Sequence, residues 1–79
     1  IKRLEDLEAL AMSFTGIERV YALQEGREIR IFVSPTLVSD LEARDLARNI
    51  ALRVEHELRF PGEIKIHVIR ESRVIEFAR

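Results

Sequence analysis

The stretch Arg27-Glu28-Ile29-Arg30-Ile31-Phe32-Val33 decides the fold of this 79-residue chain. Ile29, Ile31 and Val33 alternate with Glu28, Arg30 and Phe32, and a period of two is that of a strand buried on one face. Upstream, Ile17 to Gln24 is a shorter β-prone run containing Ile17, Val20, Tyr21 and Leu23, and Glu25-Gly26 separates the two. Strand runs joined by a Gly-containing turn predict an antiparallel hairpin. Phe32 is the exception in the alternation, an aromatic on the face that is otherwise polar.

Working outward, Leu4, Leu7, Ala11 and Phe14 recur at spacings of three and four, which predicts an amphipathic helix over Ile1 to Thr15. Gly16 follows, where a helix end accepts positive φ. Downstream, Pro35 ends the strand, and Ser39 stands three residues before Glu42 in the spacing of a capping box. The helix it opens carries Ala43, Leu46, Ala47, Ile50, Val54 and Leu58 on one face. Phe60-Pro61-Gly62 breaks that helix. Ile64, Ile66 and Val68 then alternate with Lys65, His67 and Ile69 as a third strand. Val74, Ile75 and Phe77 read as a short fourth strand or an extension of the third.

The order α-β-β-α-β(β) predicts an α+β fold: a two-layer sandwich with the helices on one face of a three- or four-stranded mixed sheet. The second strand, the long helix and the third strand form a βαβ unit, so those two strands should run parallel. Residues 1–79 read as a single domain. The chain opens on Ile1 inside a helical pattern, which we read as a piece of a longer protein.

Composition narrows the function. Lys and Arg number 13 against 14 Asp and Glu, a net charge of −1 that gives no general attraction to nucleic acid. With no cysteine, disulfides and thiolate metal sites are excluded. No apolar run approaches the roughly 20 residues that span a bilayer, so no membrane contact is expected from this segment.

The catalytic inventory is thin. His56 and His67 lie apart on a helix and a strand, without the converging ligands a metal site needs. Ser13, Ser34, Ser39 and Ser72 sit in no nucleophile elbow. Gly16, Gly26 and Gly62 are isolated, so neither a phosphate cradle nor the GxxG loop of a KH module is present. No catalytic residue, metal ligand or cofactor is assigned to this chain. Two surfaces remain as candidates. Phe32 and Ile69, if both point away from the helices, form an apolar interface patch. Arg27, Arg30, Lys65 and Arg73, with Arg70 nearby, are candidate RNA contacts on the outer sheet face, balanced there by Glu28, Glu63, Glu71 and Glu76.

The segment Tyr21-Ala22-Leu23-Gln24-Glu25-Gly26-Arg27-Glu28-Ile29-Arg30-Ile31 closely resembles part of bacterial ribonuclease Y. So do Asp40-Leu41-Glu42-Ala43 and Leu46-Ala47-Arg48 in the long helix. Phe60-Pro61-Gly62-Glu63-Ile64-Lys65-Ile66, Val68-Ile69-Arg70-Glu71-Ser72-Arg73 and Glu76-Phe77-Ala78-Arg79 resemble that family's closing run. Glu25 stands where the family commonly has Ala, and Arg44 where it commonly has His.

The resemblance implies a parent with an N-terminal membrane helix, a coiled coil, a KH domain, an HD domain that holds a divalent metal, and this accessory piece at its C-terminus. It implies an endoribonuclease that initiates mRNA decay, cytoplasmic and anchored to the membrane by its distant N-terminal helix. The catalytic ligands would belong to the HD domain. The expected partners of this piece are that HD domain or a second copy of itself, with RNA reached through the parent. The alternative is an auxiliary surface for single-stranded RNA.

Overall fold

The computed structural model describes residues 2–23, 27–58, 60 and 62–79. In chain order they form α1 (Lys2–Met12), β1 (Ile17–Leu23), β2 (Glu28–Val33), α2 (Asp40–Glu57) and β3 (Lys65–Arg70). The strands make one sheet in the order β1-β2-β3. β1 runs antiparallel to β2, and β3 runs parallel to it. The α+β reading therefore holds, including the parallel pair across the βαβ unit. The Glu25-Gly26 turn and Pro61 lie outside the described residues.

β2 sits in the middle, and its three apolar inward positions are the most deeply buried of the sheet. Ile29 and Ile31 are wholly buried and Val33 nearly so. Against them pack Leu7, Leu10 and Ala11 from α1, Ile50 and Val54 from α2, and Val38 from the loop before α2. Each fully buried Ile or Leu contributes about 1.5–3 kcal/mol relative to exposure, so this small cluster supplies most of the driving force. The stripe read from the sequence omits Leu10, which the helix turns inward as well. Both helices cover the same face of the sheet, leaving the other open.

Local chemistry fixes the ends. α1 stops at Met12, earlier than Thr15, as the Ser13 hydroxyl donates to the Leu10 carbonyl at 2.6 Å. Ser39 closes the predicted capping box: its Oγ accepts from the Glu42 amide at 3.1 Å, and Glu42 Oε1 accepts from the Ser39 amide at 2.8 Å. Arg70, at the end of β3, donates to the carbonyls of Val38 and Pro35 and to Asp40 Oδ1 at 3.1 Å. Its side chain thus ties the last strand to the entry of α2. The sequence placed Arg70 with the outer-face basic residues; these contacts place it at the sheet's end instead.

The fourth strand does not form. Residues 71–79 belong to no helix or strand, and Val74, Ile75 and Phe77 are 89%, 71% and 76% exposed. A tight return hairpin favours Gly or Asn at positive φ, and Arg70-Glu71-Ser72-Arg73 contains neither.

Gly16 joins α1 to β1 at φ +86°, and a Cβ added there would lie 2.5 Å from Val38 Cγ2. Gly16→Ala is therefore expected to cost about 1–3 kcal/mol, from backbone strain and the clash together. Urea denaturation checks this, and a change within about 0.5 kcal/mol, typical of an unconstrained surface site, contradicts it.

Candidate interaction surface

Opposite the helices, the alternation of β2 turns Glu28, Arg30 and Phe32 outward. The pairing surrounds them in three rows. Leu23, Glu28 and Lys65 lie across one row, Tyr21, Arg30 and His67 across the next, and Arg19, Phe32 and Ile69 across the third. Phe32 and Ile69, the interface pair read from the sequence, are thus register partners on the open face.

Arg19 enters this face through an irregularity in β1. The register shifts between Ile17 and Arg19, so Ile17 opposes Val33 over the core while Arg19 opposes Phe32 outside. One extra residue in a strand changes which face its neighbours occupy. The result is an aromatic cluster capped by a cation. The Tyr21 and Phe32 rings meet edge to face, centroids 5.8 Å apart at 85°. The Arg19 guanidinium lies 5.0 Å from the Phe32 centroid and 5.8 Å from that of Tyr21. Such contacts preorganise the rings while leaving apolar surface available. Tyr21 is 47% exposed, Phe32 and Ile69 are half-buried, and a hollow of about 400 Å³ bordered by Arg19, Phe32, Pro35 and Arg73 adjoins the cluster.

Of the basic residues read as RNA contacts, Arg27, Arg30 and Lys65 lie near one another at the start of β2 and β3, and Arg73 lies apart. Arg30 donates to Glu28 Oε2 at 3.1 Å, and His67 Nδ1 lies 3.2 Å from the same oxygen. Arg27, at φ 48°, donates to the Glu63 carbonyl at 3.0 Å. Arg73 lies beyond β3 and pairs with Glu71 at 3.0 Å. Lys65 shares the open face with Arg30, one row away. His56 is exposed on α2. Among the described residues, no three His, Asp or Glu side chains converge to hold a metal, and no helix is long and apolar enough to cross a membrane.

Hydrogen bonds from Arg30 and then His67, with the Lys65 charge adding, hold Glu28 below the ordinary carboxylate range. Burial opposes them and loses. A carboxylate whose folded pKa is depressed stabilises the fold above its unfolded pKa, and that contribution fades as pH falls through the folded value. Stability is therefore expected to drop below about pH 4.3, the ordinary glutamate pKa, and part of that drop should vanish in Glu28→Gln. Urea midpoints from pH 6 to 3 test this; an identical acid slope in the variant contradicts the pairing.

No family model matches the chain, and no solved structure matches it. Proteins named ribonuclease Y do. That of Geobacillus thermodenitrificans (strain NG80-2) is 54% identical over 79 residues, 100% of this chain and 15% of the relative. The one from Clostridium perfringens (strain 13 / Type A) is 53% identical over 79 residues, 100% of this chain and 16% of the relative. The one from Roseiflexus sp. (strain RS-1) is 51% identical over the same 79 residues, 100% of this chain and 15% of the relative. The chain thus spans about a sixth of the length of these curated relatives, and from Ile1 to Arg79 it matches a domain-sized segment of bacterial ribonuclease Y.

Proposed function

We propose that this chain is a non-catalytic accessory domain of a ribonuclease Y-like endoribonuclease that initiates mRNA decay, and that it works by contact. Its open sheet face packs on the metal-dependent HD domain of the same protein, or pairs with a second copy. The observation that carries this reading is the Tyr21–Phe32–Ile69 surface, an apolar and aromatic patch on a sheet that its own helices cover on one side only. Aromatic residues next to an Arg are the composition that interface centres favour.

The RNA-surface alternative fits less well. Phosphate binding depends on cations whose charge is available for neutralisation. Here Arg30 and Arg73 are already paired with Glu28 and Glu71; Arg27 donates to the Glu63 carbonyl, a neutral group, and Lys65 makes no side-chain ion pair among the described residues. A divalent metal, if the parent uses one, would be held by residues outside this chain.

In the full-length protein, Phe32→Asp combined with Ile69→Asp is expected to free the domain from its neighbour. Small-angle scattering should then report a larger radius of gyration, with faster proteolytic nicking beside the domain. Binding of single-stranded RNA at low salt by the 79-residue chain, together with unchanged scattering in the variant, would overturn the contact reading in favour of RNA.

A further inference from the structure

We infer that the C-terminal tail of one copy adds as a fourth strand to the free edge of β3 in a second copy. This shares with the preceding reading the premise that the domain acts by contact, but it uses a different surface. β3 is an edge strand, hydrogen-bonded on one side to β2. An edge of this kind is a template for another strand unless something covers it.

The tail has the matching character. Its apolar residues are among the most exposed in the protein, and Ile75 and Phe77 fall on one face of an extended strand with Val74 on the other. The segment 71–79 is long enough to pair along all six residues of β3. Every residue from 71 to 79 is exposed. The radius of gyration is 13.9 Å, with a long axis of 51 Å, against about 12 Å expected for a compact chain of this length.

Two features direct the tail to a second copy rather than back onto its own strand. The connection Glu71-Ser72 offers no residue suited to a tight hairpin. Arg70, held to Val38, Pro35 and Asp40, fixes where the chain leaves the sheet.

The receiving site is shaped for the addition. A groove of about 470 Å³ lies between α2 and β3, with Ala43, Ala47, Ile66 and Val68 along it beside the charged Asp40, Arg44 and Arg70. Small residues on the helix leave room for larger ones arriving from a partner. Ile75 and Phe77 fill this groove, while Val74 lies on the open face beside Ile69 and extends the apolar patch there. The main chain supplies affinity through ladder hydrogen bonds, and the alternating side chains supply register. Reciprocal exchange closes a two-fold dimer and leaves neither β3 edge bare.

The test is sedimentation of the 79-residue chain across a concentration series, beside three variants. The parent sequence is expected to dimerise reversibly. Ile75→Asp with Phe77→Asp should be monomeric, and its melting at low concentration should match the parent's, since the tail contributes nothing to the core. Ala47→Arg, which blocks the groove, should also be monomeric. Mixing these two variants should restore a dimer through the one intact tail and the one intact groove. Phe32→Asp should leave dimerisation in place, which separates this inference from the open-face reading. A parent chain that stays monomeric at its highest soluble concentration overturns the proposal. So does a dimer that survives the tail substitutions, or a mixture that fails to associate.

Discussion

One strand carries this fold. β2 is paired on both edges and buried on one face, so its inward residues Ile29, Ile31 and Val33 touch every layer of the core. In a chain of this size only a modest share of the surface can be buried, and the protein concentrates that share in one place. Both helices are drawn to the same side because β2 offers them their largest apolar surface. The open face, the uncovered β3 edge and the exposed tail are what remains once that burial is satisfied.

The proposed contact role draws on what is left uncovered. On the open face Glu28 accepts from Arg30 and faces His67, while Arg19 and Lys65 leave the three rows with more cations than acids. The aromatic residues there are ordered by Arg19 but not covered. The preorganised rings are the feature of this face that suits a protein surface. The similarity to about a sixth of ribonuclease Y fits a domain that supports a larger assembly.

Much of the architecture was legible because its signals are local. The alternation in β2 and the Ser39–Glu42 capping box each depend on residues a few positions apart, and each appears where the spacing puts it; Gly16 has the expected positive φ but lies four residues past the end of α1. The candidate surface was legible in part. Phe32 and Ile69 follow from strand alternation, whereas Arg19 reaches them through a register shift in β1 that no alternation announces. Arg70 looked like one of several outward cations, and only the arrival of β3 beside the α2 entry turns it toward the Val38 and Pro35 carbonyls. Val74, Ile75 and Phe77 have strand-forming composition, but a strand needs a partner edge, and local sequence does not say whether the chain can return to its own.

The central claim is that the open sheet face is a contact surface, and hydroxyl-radical footprinting of the full-length protein beside the 79-residue chain tests it most directly. Tyr21 and Phe32 report on that face, while Met12, 49% exposed on α1, serves as an internal control. The account predicts that oxidation of Tyr21 and Phe32 falls in the full-length protein while that of Met12 holds steady. Equal labelling of Tyr21 and Phe32 in the two proteins, with the 79-residue chain held at a concentration where it is monomeric, would contradict it.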